Sequence, residues 1–424
     1  MLAFFKKLSR LMAAAVIIIG CSVVNMYGQP AEAAINIRWG NCLDSVRLTW
    51  PVIPGAVSYR IMILENPSDT EAEAISIKKG IFINGYELDT AVMRSPENKY
   101  WAVCPVGING QPCGPYTEPQ PIASSEKNPE RVKLLTQYEQ MDYMPAYPVY
   151  SWVPAKKAAY YEVQVYRQDQ DGVYQLIRSL ESTHYILYED GGFTWPGNYY
   201  WQVRAMDGYG GVAEDWSEPS YFTIEPTAKV VALGDSITHG GGAASTPPGD
   251  TTYNWETYCQ VPVKNLGLSG DTVEGMNERF EAEVIPLQPK VLIIMGGVNN
   301  FRRGDDGWDI ADQLAILRDR CNELGIIPVF VTATPINPQH MRRVQGIEAP
   351  AENWKNSQQI MNMWIKQQRF CIDVTPPLTG SDGLLREDIS IDGLHPDYEG
   401  KKIMGEMIND YLQANFPQFN LLEK

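Results

Sequence analysis

Histidine and positive charge are both scarce in this chain. Four histidines in 424 residues, with no CxxC and no Cys/His ligand spacing, offer no candidate structural metal site. Lysine and arginine total 35 against 51 acidic residues, a formal net charge of -16. Such a surface repels phosphate backbones and anionic lipid, so nucleic acid is not an expected partner. The one long apolar run, Leu11 to Val24, is too short and too early for a membrane span. No amphipathic cationic helix and no long apolar lid stand out, which counts against work at a lipid surface. What remains is an ordinary globular composition, 44% hydrophobic and 20% charged, in a chain long enough for several domains.

Lys6, Lys7 and Arg10 precede the apolar run and a polar stretch follows it, so residues 1–34 read as an export signal rather than a buried N-terminal helix. Two processing patterns stay open. Ala31-Glu32-Ala33 has small residues at alternate positions, as signal peptidase I accepts, whereas Ile18-Ile19-Gly20-Cys21 resembles a bacterial lipobox and would leave a lipidated Cys21. Either one puts the protein outside the cytoplasm, secreted or on the cell surface. Seven cysteines fall to six without Cys21, an even number that permits disulfides without revealing their pairing. Cys104 and Cys113 flank Gly107, Asn109 and Gly110, where a hairpin could bring them together.

An internal repeat with a register of about one hundred residues fills most of the chain up to residue 226. Trp50 is followed nine residues later by Tyr59 and the alternating Ile61 and Ile63; Trp152 is followed nine residues later by Tyr161 and the alternating Val163 and Val165. Tyr100-Trp101-Ala102-Val103 matches Tyr200-Trp201-Gln202-Val203, and Tyr116-Thr117-Glu118-Pro119 matches Trp216-Ser217-Glu218-Pro219. Strand-like alternation and turn pairs such as Asn109-Gly110 and Asp207-Gly208 describe two small antiparallel β-sandwiches. The pattern resembles fibronectin type III modules over residues 35–122 and 130–226. Trp50, Trp101, Trp152 and Trp201 are expected in their cores. Trp195, Tyr209 and Trp216 lie in loops, where sugar stacking competes with a structural role. Ser124 to Glu130 reads as the linker, and Glu225-Pro226-Thr227 as the next boundary.

From Lys229 the periodicity changes. Short apolar runs at 230–233, 261–266, 291–295 and 326–331 suit buried parallel strands, and the stretches 272–285, 308–324, 351–368 and 398–416 have helical spacing. Residues 228–424 are therefore expected to form a three-layer α/β domain. Its chemistry should lie at the carboxyl ends of the strands, where Gly234-Asp235-Ser236 falls.

Four blocks in this region, in order, resemble the SGNH/GDSL hydrolase family, whose sheet is flavodoxin-like. Gly234-Asp235-Ser236 matches the nucleophile block, with Ser236 as nucleophile. Asn265-Leu266-Gly267-Leu268-Ser269-Gly270-Asp271-Thr272 matches the second, in which Gly270 would give a backbone N–H to the oxyanion. Gly297-Val298-Asn299-Asn300 matches the third, in which Asn299 would give its side-chain amide. Asp392-Gly393-Leu394-His395 matches the last, with His395 as base and Asp392 as its orienting acid. The third block usually ends Asn-Asp, and Asn300 lacks that charge. The resemblance implies a serine ester hydrolase with an oxyanion hole of Ser236 N–H, Gly270 N–H and the Asn299 amide.

The chemistry requires such residues in any case. A serine hydroxyl is a weak nucleophile without an imidazole to take its proton, and that imidazole works best when a carboxylate fixes its tautomer. His239 is the rival base, but three residues after Ser236 it lies too close in sequence to reach the hydroxyl from the attacking side. It reads instead as lining or supporting the pocket. Asp235 is expected to brace the nucleophile loop rather than act as the acid. The substrate expected from export and from the carbohydrate esterases of the family is a short acyl ester, acetyl above all, on a small molecule or polysaccharide. The modules are open to carbohydrate or cell-surface contact. A lysophospholipase-like esterase and a non-catalytic adhesin on a hydrolase scaffold are the alternatives. No metal or organic cofactor is implied. The polar stretch Gly240 to Thr252 is expected to shape the entrance beside the nucleophile.

Overall fold

The repeat seen in the sequence recurs in three dimensions down to individual hydrogen bonds. In the computed structural model, which describes residues 45–136, 138–189, 191–242, 251–343 and 347–423, Trp50 meets Tyr59 at 5.2 Å between ring centroids and Trp152 meets Tyr161 at 5.0 Å. Each tyrosine hydroxyl accepts from the backbone N–H three residues past its tryptophan, Ile53 at 3.1 Å and Ala155 at 3.0 Å. The expected export segment with Cys21, the first residues of the first module, and residues 243–250 of the entrance stretch lie outside the described residues.

Strands Ser45–Thr49, Gly85–Asp89 and Glu126–Lys127 form one antiparallel sheet; Ser58–Leu64, Ser76–Ile81, Tyr100–Val106 and Gln120–Pro121 form a second. Alternate side chains of both, with Trp50 and Trp101, make a shared core. The second half repeats the plan with a two-stranded sheet, Val149–Ser151 and Ile186–Tyr188, against a five-stranded one built around Tyr160–Gln168 and Gly197–Met206. Trp152 and Trp201 are fully buried in its core. Trp195 and Tyr209 are exposed, and Trp216 lies under the Arg204 guanidinium at 4.6 Å. Arg47 of the first half reaches Glu214 of the second at 2.5 Å in a buried ion pair. Cys104 and Cys113 are free thiols, as are Cys259, Cys321 and Cys371.

The last two hundred residues hold five parallel strands, β1 (Val230–Gly234), β2 (Lys264–Gly267), β3 (Val291–Met295), β4 (Ile327–Val331) and β5 (Cys371–Ile372), in the order β2-β1-β3-β4-β5. Around them lie α1 (Ser236–His239), α2 (Val273–Glu283), α3 (Val298–Arg303), α4 (Gly307–Glu323), α5 (Pro338–Met341), α6 (Trp354–Lys366), α7 (Thr375–Leu378) and α8 (Tyr398–Asn415). Every residue of β1 and β3 is buried, as strands covered on both faces must be. The chain leaves β1 toward β2 on one side and β3 on the other. The carboxyl ends of these strands are thus a topological switch point, the place where open α/β sheets bind their ligands.

β2 is an edge strand, and an edge left bare would offer unpaired backbone groups to other chains. Here the segment before Val149 covers it: Ala146 N–H donates to Asn265 O at 2.9 Å and Lys264 Nζ to Met144 O at 2.6 Å. Tyr143, Ala146 and Tyr147 belong to the same buried cluster as β1 and β3. The core of the α/β layer therefore draws side chains from the second β-module.

Candidate active site

β1 ends at Gly234, and Asp235 caps the short α1 turn by accepting from Ile237 N–H at 2.9 Å. Burial pushes the Asp235 carboxyl up to about 6, because its hydrogen bond to Ile237 only partly offsets the lost hydration. The opposite side of the turn is held from α8: the fully buried Lys401 donates to Ile237 O at 2.6 Å. Gly267 lets the turn rest on the end of β2, since a Cβ there would lie 2.1 Å from His239 N. Ser236, the first residue of α1, is thereby held with its side chain half-buried at the switch point.

The loop before α8 brings the partner groups. Ser236 Oγ lies 2.9 Å from His395 Nε2, and His395 Nδ1 lies 2.7 Å from Asp392 Oδ2. A carboxylate at Nδ1 puts the proton there and leaves Nε2 as the acceptor facing the serine hydroxyl. Asp392 is fully buried, and its other oxygen accepts from Leu394 and His395 N–H, each at 2.8 Å. Burial alone would raise its pKa; the hydrogen bond and charge of His395 and the two N–H groups outweigh it and hold the carboxyl below the ordinary value.

Three elements bring N–H groups to this end of the sheet. Among the described residues the N–H groups of Ser236 and Gly270 meet no acceptor. Gly270 sits at φ +85, a left-handed conformation natural to glycine, with open space around its α-carbon. Asn299 is fixed in orientation: Nδ2 donates to Asp271 O at 2.8 Å, and Oδ1 accepts from Arg302 Nη1 at 3.1 Å. An amide nitrogen carries two hydrogens, so one is spent on Asp271 and one remains. Donors already held in place are what a tetrahedral intermediate of acyl transfer needs.

The model of the GDSL-like Lipase/Acylhydrolase family matches residues 232–403. Those residues are a GDSL-like lipase/acylhydrolase domain. Among curated proteins, an uncharacterized lipoprotein of Bacillus subtilis, YqeF, is 28% identical over 118 residues, 25% of this chain and 49% of the relative; the match thus spans about half the relative's length. Among solved structures, a lipase/acylhydrolase from Enterococcus faecalis is 20% identical, covering 44% of this chain and 96% of its own, with a TM-score of 0.36. A GDSL-like lipase from Bacteroides thetaiotaomicron is also 20% identical, covering 44% and 87% with a TM-score of 0.35. An acetylxylan esterase from Geobacillus stearothermophilus is 18% identical, covering 45% and 96% with a TM-score of 0.33.

Asn300 has its own place in the acylhydrolase domain. Its Oδ1 accepts from Val273 N–H at 3.0 Å, as an aspartate there could, while Nδ2 donates to Glu274 at 2.7 Å and Asp305 at 2.9 Å. Two acidic neighbours call for a donor where the family pattern has an acid. His239 does not face Ser236 with a free nitrogen: Nε2 lies 2.7 Å from Tyr147 O and Nδ1 lies 2.8 Å from Ser269 Oγ. A carbonyl can only accept, so Nε2 carries the proton. Burial lowers the His239 pKa to about 4 and keeps the ring neutral.

Four residues of this support carry no local signature in the sequence. Arg302 holds Asn299, Lys401 holds the α1 turn, Arg279 donates to Gly234 O at 3.0 Å, and Tyr147 enters from the β-module. A half-buried arginine on a helix reads as a solvated face until the fold puts a carbonyl beneath it. Among the described residues no group of three or more His, Cys, Asp or Glu is arranged to hold a metal.

Proposed function

We propose that residues 228–424 act as an extracytoplasmic serine esterase in which Ser236 is the nucleophile, His395 the base and Asp392 its orienting acid. The observation that carries this reading is the unbroken line of hydrogen bonds from Ser236 Oγ through His395 to the buried Asp392. Ser236 Oγ adds to the ester carbonyl as His395 Nε2 takes its proton. The oxyanion then meets Ser236 N–H, Gly270 N–H and the second Asn299 amide hydrogen. Collapse expels the alcohol with the proton from His395 and leaves an acyl-enzyme; water, activated by the same imidazole, releases the acid and frees Ser236.

The substrate we propose is a short acyl ester, most simply an acetyl group on carbohydrate. The polar Gly240 to Thr252 stretch beside the nucleophile favours a small polar ester over a fatty chain. Directly after this stretch, the Tyr253 hydroxyl donates to Ala56 O of the first β-module at 2.8 Å. Two modules with the same Trp-to-Tyr contact support the fibronectin type III reading. The charged and apolar pattern of residues 1–34 supports export, and likeness to a lipoprotein agrees with anchoring through Cys21.

Hydrolysis of p-nitrophenyl esters of increasing acyl length by residues 35–424, with Ser236→Ala beside the parent, tests the proposal. Turnover of acetate above longer esters, lost about a thousandfold or more in Ser236→Ala, is the expected result. A preference for long chains would move the reading to a lipase. Inactivity on every ester would favour a scaffold used for adhesion.

A further inference from the structure

Gly270, the proposed backbone donor of the oxyanion hole, is flanked by two residues that are each held from outside their own loop. On one side Ser269 is tied to His239, whose Nδ1 accepts from Ser269 Oγ at 2.8 Å and from Ser269 N–H at 3.3 Å. On the other side Asp271 accepts from Arg279 Nε at 2.8 Å, and Arg279 also holds Gly234 O. Followed outward, both arms end on one residue. His239 Nε2 donates to the Tyr147 backbone carbonyl at 2.7 Å. Arg279 pairs with Glu283 at 2.7 Å, and Glu283 accepts from the Tyr147 hydroxyl. The Arg279 guanidinium also lies over the Tyr147 ring, 5.7 Å from its centroid.

We propose that Tyr147, contributed by the second β-module, is a positioning residue for the oxyanion hole, acting through His239 on one flank of Gly270 and through Glu283 and Arg279 on the other. The inference rests on the esterase reading of the site and adds to it that catalysis depends on a β-module lying outside the hydrolase sheet. Tyr147 touches no reacting atom. Its part is to stop the Gly270 loop from rotating away from the place where the oxyanion forms. A backbone N–H acts only if held within a fraction of an ångström, and displacement by a remote change can cost up to about a hundredfold. Arg279 adds reach: its bond to Gly234 O and the Asp271 carbonyl's bond to Asn299 tie the same network to the strand before Ser236 and to the side-chain donor. Burial raises the Tyr147 pKa well above that of an ordinary phenol, so the hydroxyl remains a donor throughout the working range.

The test is steady-state hydrolysis of p-nitrophenyl acetate by the full chain and by Tyr147→Phe, Glu283→Gln and the double variant, with Ser236→Ala in the same series. Tyr147→Phe keeps the backbone carbonyl and the ring and removes one hydroxyl. A fall in kcat of about tenfold, with KM within about twofold, is expected. The rate of inactivation by a p-nitrophenyl phosphate triester, whose phosphoryl oxygen occupies the same hole, should fall by a similar factor. The double variant should be no worse than the more impaired single one, because both act along one arm. Should Tyr147→Phe fail to fold, Glu283→Gln with the same two readouts decides. A kcat within twofold of the parent in a folded variant, a KM effect alone, or additive losses in the double variant would overturn the proposal while leaving the esterase reading intact. Activity retained in Ser236→Ala would instead remove the esterase reading itself.

Discussion

Asn300 donates its side-chain amide to the Glu274 carboxylate at 2.7 Å in a fully buried position, and the same nitrogen reaches Asp305 at 2.9 Å. Asn300→Asp, which would restore the usual family pattern, puts a third carboxylate between two others and removes two donors. We predict a loss of about 2–4 kcal/mol in urea unfolding at neutral pH, shrinking as the pH falls and the new acid takes up a proton. Val273 N–H would keep its acceptor, so the start of α2 should survive. An unchanged or increased midpoint would contradict this account of Asn300.

Arg302 fixes which way the Asn299 amide points, since its Nη1 meets Oδ1 and not Nδ2. Arg302→Met keeps an unbranched stem, removes the guanidinium and frees the amide to turn. The predicted outcome is a kcat about tenfold lower with little change in KM; complete removal of the donor, as in Asn299→Ala, should cost more, about 2.7 to 4 kcal/mol of transition-state stabilisation. Equal kcat in the parent and Arg302→Met would mean that Asp271 O alone orients the amide.

His239 gives the fold a defined acid sensitivity. Burial lowers its pKa from 6.5 to about 4, so as the pH falls the unfolded chain takes up this proton first. The stabilisation is full above about pH 6.5 and is lost progressively toward pH 4, reaching about 3 kcal/mol. His239→Gln retains a donor for Tyr147 O and an acceptor for Ser269 but cannot titrate. Its urea midpoint should therefore vary less with pH across this window than that of the parent, and parallel curves would refute the assignment.

The two modules should respond alike to loss of the tyrosine hydroxyl. In Tyr161→Phe the buried Ala155 N–H loses its acceptor, at an expected cost of about 1–3 kcal/mol. The matching Tyr59→Phe should cost less, because the Ile53 N–H it leaves is only partly buried. Chemical unfolding of each variant would measure both.

Much of the α/β layer was legible because its strands are buried on both faces and read as apolar runs. Val291–Met295 appears over the expected residues, the helices Val273–Glu283, Trp354–Lys366 and Tyr398–Asn415 lie inside the expected spans, and Gly307–Glu323 sits one residue earlier than its span at each end. The run from Val261 misled in part. The strand starts only at Lys264, after Pro262, which has no N–H to give a ladder. Cys371–Ile372 is too short to show any period, and the six residues of α3 fall below the length at which helical spacing becomes visible.

The site divides in the same way. Asp392 and His395 are neighbours in sequence and share one loop, so their meeting could be read from spacing; Asn299 and Gly270 were readable only through the family pattern. What supports them comes from far away: Tyr147 and Glu283 are 136 positions apart, and Ile237 and Lys401 are 164 apart. No local pattern encodes such pairs. The first exists because the β-module lies against β2, the second because α8 brings Lys401 beside the α1 turn, both consequences of the fold as a whole.

Mass spectrometry after inactivation by a p-nitrophenyl phosphate triester tests the central claim most directly. The account predicts one phosphoryl group per chain, on the peptide holding Ser236, formed far more slowly in His395→Ala and absent at that position in Ser236→Ala. A label on another residue, or full esterase activity in a chain that takes up none, would contradict it.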